Sequence, residues 1–153
     1  MGTTIVRATH TREMQLIVFR VGELLLGLEI DRIQEINRQV EITAVPKAPE
    51  YVRGVINLRG EVVTVIDPKA ILGLPETEVT KSSRNLVIQS DDEMIGLVVD
   101  QVADILSVSS AEIASAPANV HGVDGRFFSG VYTSETDIVV LVNLDELLGG
   151  NEA

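Results

Sequence analysis

Apolar residues alternate with polar ones, or gather in short blocks bounded by glycine and proline, along most of this 153-residue chain. Alternation at period two points to strands with one buried face, and short unbroken apolar blocks to strands buried on both. Strands are expected at Met14–Val21 and Glu23–Glu29, hinged at Gly22. The stretch Ile30–Ile36, apolar at 30, 33 and 36, suits a bent strand or a helical turn equally. Val40–Ala44 reads as extended, and Val45–Pro49 as a stiff proline loop. Val52–Leu58 and Glu61–Ile66 flank Arg59-Gly60 as a hairpin, with Gly60 supplying the positive φ of a tight turn. Asp67-Pro68 opens a short helix, because Asp caps free amides and Pro is harmless at the first helical position; Gly73 ends it.

A polar stretch from Glu76 to Ser83 reads as a linker. Beyond it, strands are expected at Asn85–Gln89, Met94–Val99 and Val102–Val108, then a short helix or turn at Ser110–Ala114. A loop from Pro117 to Gly125 precedes strands at Phe127–Thr133 and Ile138–Val142. Asn143 with Glu146 three residues on forms a capping-box pattern for a last helix that stops at Gly149.

The two halves repeat each other. Gly27–Ile36 aligns with Gly96–Ile105 at an offset of 69, and Gly54–Gly73 with Gly130–Gly149 at an offset of 76. Both helix caps (Asp67, Asn143) and both stopping glycines (Gly73, Gly149) coincide. Two copies of a small β unit predict a mainly β fold of two interlocked, five-stranded β-barrels with short helices. The first barrel is expected over about 14–75 and the second over about 84–148, with strands exchanged to bury their edges. Residues 1–13 read as a flexible leader and 149–153 as a tail. The repeat also separates architecture from function. The hairpin Asn57-Leu58-Arg59-Gly60 becomes Thr133-Ser134-Glu135-Thr136 in the second copy, so the first hairpin tip is a candidate binding element. The pattern leaves Arg59 open between gripping a partner and pairing with a nearby carboxylate.

Composition narrows the classes. Val (22) and Ile (14) dominate while aromatics are 3%, which favours strands. With no cysteine there is no disulfide framework and no thiolate metal site; His10 and His121 alone suggest no metal set, and no cofactor motif is present. The net charge of −11 argues against nucleic acid and anionic lipid as partners. All of that excess falls in residues 76–153, with three basic and fourteen acidic side chains; residues 1–75 carry nine of each. The longest apolar run, Ile138–Val142, is too short to insert in a bilayer. The first residues show no secretory pattern, and Val6 stands where myristoylation wants Ser or Thr. A soluble cytoplasmic domain is the expectation. Asp31 and Asp100, equivalent in the two copies, could share a proton as an acid–base dyad, but the repeat explains them equally well as turn residues. A small-molecule-binding barrel is the other alternative.

The string Gly54-Val-Ile-Asn-Leu-Arg-Gly60, preceded by Pro46 and followed by Val63-Thr-Val-Ile-Asp67, resembles the signature of the CheW family of chemotaxis coupling proteins. Gly96–Ile105, Ser129–Val131 and Leu141–Leu148 are similar to it too, so the resemblance runs from about Met14 to Leu148. It implies a non-catalytic adaptor of two interlocked barrels, linking the cytoplasmic tip of a methyl-accepting chemoreceptor to the regulatory domain of a CheA-type histidine kinase. It further implies recruitment to membrane-bound receptor arrays. By position, the receptor-binding residues would be Ile33, Glu35, Asn57, Leu58, Arg59, Gly60 and Ile105, with Gly54, Gly96 and Gly130 as structural glycines near interfaces. This chain departs from the pattern at Thr64, where many relatives have Pro, and at Pro68, where relatives usually have Leu.

Overall fold

A computed structural model describes residues 11–38, 41–76 and 78–149. The first half supplies β1 (Glu13–Val21), β2 (Leu24–Glu29), β3 (Ile33–Arg38), β4 (Val52–Leu58), β5 (Glu61–Ile66) and helix α1 (Pro68–Leu72). The second supplies β6 (Arg84–Ser90), β7 (Glu93–Val99), β8 (Gln101–Ser109), β9 (Ile113–Ala114), β10 (Asn119–Val120) and β11 (Val123–Asp124). It ends with β12 (Phe128–Thr133), β13 (Ile138–Val142) and α2 (Leu144–Gly149). The ambiguous Ile30–Ile36 stretch is both things at once: a 3-10 turn over Ile30–Arg32 that runs into β3.

The strands form a six-stranded sheet in the order β8-β1-β2-β13-β12-β9, a five-stranded sheet in the order β3-β6-β7-β5-β4, and the ribbon β10-β11. Two parallel pairings stand out in this antiparallel fold: Val140 opposite Leu26, and Thr64 opposite Ile95. They are the same pairing twice, since Thr64 maps to Val140 at an offset of 76 and Leu26 to Ile95 at 69. Each joins a strand from one half to a strand from the other. The sheets therefore cut across the halves. The five-stranded sheet takes β6 and β7 from the second half, and the six-stranded sheet takes β1 and β2 from the first, so ranges of 14–75 and 84–148 do not bound the sheets. The polar stretch of residues 76–83 likewise leads from α1, which follows β5, to β6 of the same five-stranded sheet.

Where closed five-stranded barrels were expected, strand pairing among the described residues leaves both sheets open. β9 is two residues long and too short to template an intruder, and the outer edge of β4 is partly covered by Thr43, which exchanges both backbone hydrogen bonds with Val55. The main core lies between the sheets. It joins Phe19, Leu26 and Leu28 to Leu86, Ile88 and Leu97, with Leu72 of α1 and Leu147 of α2. Smaller clusters form around Met14, Leu16, Val108 and Leu141, and around Ile56, Val63, Val65 and Val87. Because Ile17 and Phe19 belong to the shared core and Met14 and Leu16 to a satellite, β1 is covered on both faces, and its centre is a continuous apolar run.

The helices start as their caps dictate. The Asp67 side chain accepts from the Lys69 N–H at 3.0 Å, Pro68 occupies the first turn, and Gly73 closes α1 with φ +76°. At α2, Asn143 Oδ1 accepts from the Glu146 N–H at 3.2 Å. The reciprocal half of the expected capping box does not form: the Asn143 N–H donates to the Phe127 carbonyl, and the Glu146 carboxylate turns to Arg126. Ser109 and Glu112 make a complete capping box instead, around the 3-10 turn Ser110–Glu112. Of the expected leader, residues 1–10 lie outside the described residues, while Glu13 already belongs to β1; residues 150–153 of the tail and Val40 lie outside them as well.

Candidate functional site: the Asn57–Gly60 hairpin and strand β3

Leu58 opposite Glu61 closes the β4–β5 ladder, leaving Arg59 and Gly60 as a two-residue loop. Both have positive φ, +52° and +87°, the geometry whose twist matches that of the flanking strands. Gly60 was expected to take this conformation; Arg59 taking it too was not, since a side chain there carries a steric cost. Asn57 offsets that cost: its Oδ1 accepts the Gly60 N–H at 2.9 Å. The turn thrusts the Arg59 side chain out, 70% exposed, and across to β3. There its two terminal nitrogens take both oxygens of Glu35, one contact being Nη1 to Oε2 at 3.2 Å. The Glu35 carboxyl is held below the ordinary carboxylate range, first by these hydrogen bonds from Arg59. Bidentate pairing orients the guanidinium plane, leaving its outer edge and face free to solvent.

Of the two descriptions left open by the sequence, the structure shows the second. It pairs with a carboxylate, and that carboxylate is another candidate site residue. Ile33 lies on β3 two positions before Glu35, partly packed on the shared core. Ile105 stands apart, on β8 at the edge of the six-stranded sheet, 51% exposed and opposite Ile17 in the ladder. The fold brings Glu35 to Asn57–Gly60 and leaves Ile105 on the other sheet.

Close approach explains the three candidate glycines. A Cβ on Gly54, whose φ is +147°, would lie 2.8 Å from the Thr43 carbonyl carbon. On Gly96 it would press into the Asn85 amide, 2.8 Å from Cγ and Nδ2; on Gly130 it would lie 2.5 Å from Ile113 Cγ2. Each glycine makes room for a group on the strand or segment paired beside it.

Two features escaped the sequence reading. Asn119-Val120-His121-Gly122 builds the same tip as Asn57–Gly60, with φ +48° and +86° at His121 and Gly122 and an Asn119 Oδ1 to Gly122 N–H bond of 2.9 Å. The shared Asn-x-x-Gly spacing was the available signal. Four of the five exposed large apolar residues also follow the repeat: Ile36 corresponds to Ile105 at offset 69 and Val62 to Ile138 at offset 76, while Val45 has no such counterpart. Ile36, 44% exposed on edge strand β3, matches the exposure of Ile105 on edge strand β8.

The acid–base alternative does not survive the geometry. Asp31 sits exposed in the 3-10 turn before β3, whereas the Asp100 carboxylate takes Lys69 Nζ at 2.5 Å and the Gly22 N–H at 2.8 Å. Among the described residues no three His, Cys, Asp or Glu side chains are grouped to hold a metal. A groove of about 680 Å³ lies over β2, β12 and β13 beside His121, and none of the candidate residues lines it.

A strand-exchanged pair of sheets with an Asn-Leu-Arg-Gly tip can be set against known proteins. The family model described as the CheW-like domain matches residues 15–152. The chain belongs to the CheW family. It is 38% identical over 138 residues to the chemotaxis protein CheW of Rhizobium meliloti, covering 90% of this chain and 89% of that protein. It is 38% identical over 134 residues to the chemotaxis protein CheW of Bacillus subtilis, covering 88% and 86%. Its structure resembles the crystal structure of the scaffolding protein TtCheW from Thermoanaerobacter tengcongensis, with a TM-score of 0.84, 30% identity and coverage of 93% and 92%. The two departures from the CheW pattern are accommodated. Pro68 sits in the first turn of α1, and Thr64 lies in β5, an interior strand between β7 and β4 where a free amide serves the ladder.

Proposed function

We propose that this CheW-family chain is a non-catalytic adaptor that couples the cytoplasmic tip of a methyl-accepting chemoreceptor to the regulatory domain of a CheA-type histidine kinase. The observation that carries this reading within the chain is the Glu35–Arg59 pair. It displays an oriented cation on a rigid turn, in one copy of the repeat only. Ile33, Asn57, Leu58 and Gly60 surround or build that display, and Ile105 adds an exposed apolar contact on the second sheet. An aliphatic residue beside an oriented arginine suits a helical partner that offers apolar and acidic side chains together.

No described helix is long and apolar enough to cross a membrane. The proposed place of action is the cytoplasm, at receptor arrays reached through the receptor rather than by insertion. The acidic excess of residues 76–153 is spread over both sheets, from Asp91, Asp92 and Glu93 at the β6–β7 turn to Asp104 on β8.

The test is Arg59→Glu. It puts a like charge against Glu35, so binding to a purified receptor-tip fragment should fall by about tenfold or more while the circular dichroism spectrum stays unchanged. The Arg59→Glu/Glu35→Arg exchange restores the pair and should recover part of the affinity. Unchanged receptor binding in Arg59→Glu refutes the assignment of this hairpin. Failure of the unmodified protein to bind either receptor or kinase fragments refutes the adaptor reading.

A further inference from the structure

Among the described elements the chain passes between the two sheets twice: through the Ile30–Arg32 turn from β2 to β3, and through Asp100 from β7 to β8. The second crossing is one residue long, and that residue is bonded on every side. The Asp100 N–H donates to the Arg20 carbonyl on β1 at 2.9 Å. Its Oδ2 accepts the N–H of Gly22, in the β1–β2 turn of the six-stranded sheet, at 2.8 Å. Its Oδ1 meets Lys69 Nζ at 2.5 Å. Lys69 belongs to α1, which follows β5 of the five-stranded sheet, and its side chain is only 6% exposed. One carboxylate therefore ties a turn of one sheet to a helix anchored on the other.

A buried ammonium held in this way does not move freely. Separating from Asp100 would cost it a neutralising charge in a place water reaches poorly. The repeat shows that the arrangement is made only once. Lys69 and Asp100 correspond to Asp145 and Asp31, and two acids cannot form the same ion pair at the first crossing.

We propose that Lys69 and Asp100 are positioning residues for partner binding. Their ion pair locks the two sheets in the orientation at which Ile105, five residues after Asp100 on β8, and the Arg59 hairpin on the other sheet meet one rigid helical partner. The proposal rests on the receptor reading above for its binding arm alone; the orientation arm stands on the ion pair.

The chain contains no cysteine, so spin labels can be placed at will. Gln89 on β6 and Ser107 on β8 are exposed, one on each sheet, and Gln89→Cys with Ser107→Cys reports the inter-sheet distance by pulsed dipolar spectroscopy. The labelled protein should give one narrow distance distribution, which broadens or shifts in Lys69→Met and returns in Lys69→Arg. Receptor-fragment affinity should fall by about tenfold in Lys69→Met and recover in Lys69→Arg. If Lys69→Met does not fold, Asp100→Asn, which keeps an acceptor for Gly22, is read by the same distances. A folded variant lacking the pair but keeping the narrow distribution overturns the proposal. If the distribution broadens while affinity holds, the positioning role falls and only the orientation lock stands. If the unmodified protein binds no receptor fragment, the receptor reading falls, and the distances still decide the lock.

Discussion

Gly96 lies against Asn85 on the paired strands β7 and β6, and the replacement Gly96→Ala tests how tightly the fold is built there. A methyl on Gly96 would sit 2.8 Å from both Cγ and Nδ2 of Asn85, a contact no relaxed structure keeps. Asn85 is 5% exposed and packed in the sheet, so it cannot swing into solvent. Overfilling a packed site of this kind costs about 1–3 kcal/mol. The gain from stiffening a glycine in the unfolded chain, roughly 0.4–1 kcal/mol, offsets a part. A net loss of about 1–2 kcal/mol should lower the melting temperature by about 2–8 °C in a domain of this size. The repeat supplies the control. Gly27 is the counterpart of Gly96, yet it faces Leu16 and Val139, and its added Cβ would lie 3.0 Å from a single Val139 methyl. Gly27→Ala should therefore cost less than Gly96→Ala in the same urea titration. The decisive measurement is the double-mutant cycle with Asn85→Ala, which removes the obstructing amide. In that background Gly96→Ala should be nearly neutral, giving a coupling of about 1–2 kcal/mol. Equal losses from Gly96→Ala with and without Asn85 would show that the amide is not what excludes the methyl, and the steric account would be wrong.

Removing the α1 cap by Asp67→Ala should cost about 0.5–2 kcal/mol in chemical denaturation, because the Lys69 N–H loses its acceptor while the rest of the helix is untouched. The pH response of the hairpin has a definite sign. The folded Glu35 carboxyl lies below its unfolded value of about 4.3, so the pair's contribution is fully present above that value and is lost as pH falls through the lower, folded one. Carbon NMR of the Glu35 carboxyl should show its midpoint rising in Arg59→Ala; an unmoved midpoint would mean that Arg59 does not set it.

Local order was legible in the sequence because its causes are local. The cap at Asp67, the proline after it and the stopping Gly73 act within a few residues, so α1 appears where the pattern puts it. The alternation around Val63 and Val65 places β5, and the doubled Gly27/Gly96 and Gly54/Gly130 strings expose the repeat before any coordinates. The family signature sits in the same short strings. What the chain could not disclose is which strand pairs with which across separations such as 31 and 114 residues. Thr64 opposite Ile95 and Val140 opposite Leu26 are set by burial of apolar faces between halves, and many pairings satisfy the same periodicity.

The same limit holds at the site. The repeat singled out Arg59 and the family resemblance named Glu35; the order β3–β6–β7–β5–β4 sets β3 and the β4–β5 turn toward opposite ends of the sheet, so only its curvature in three dimensions makes them partners. Asp100 shows the reverse case. In the sequence it looked like half of a symmetric pair with Asp31; in the fold its carboxylate is taken up by Lys69 and Gly22, residues from two sheets that no local pattern relates. Sequence by itself determined the elements, their caps and the duplicated plan, since those follow from contacts a few residues apart. Tertiary structure decided which strands are exchanged and which ions pair, since both depend on which distant surfaces exclude water together.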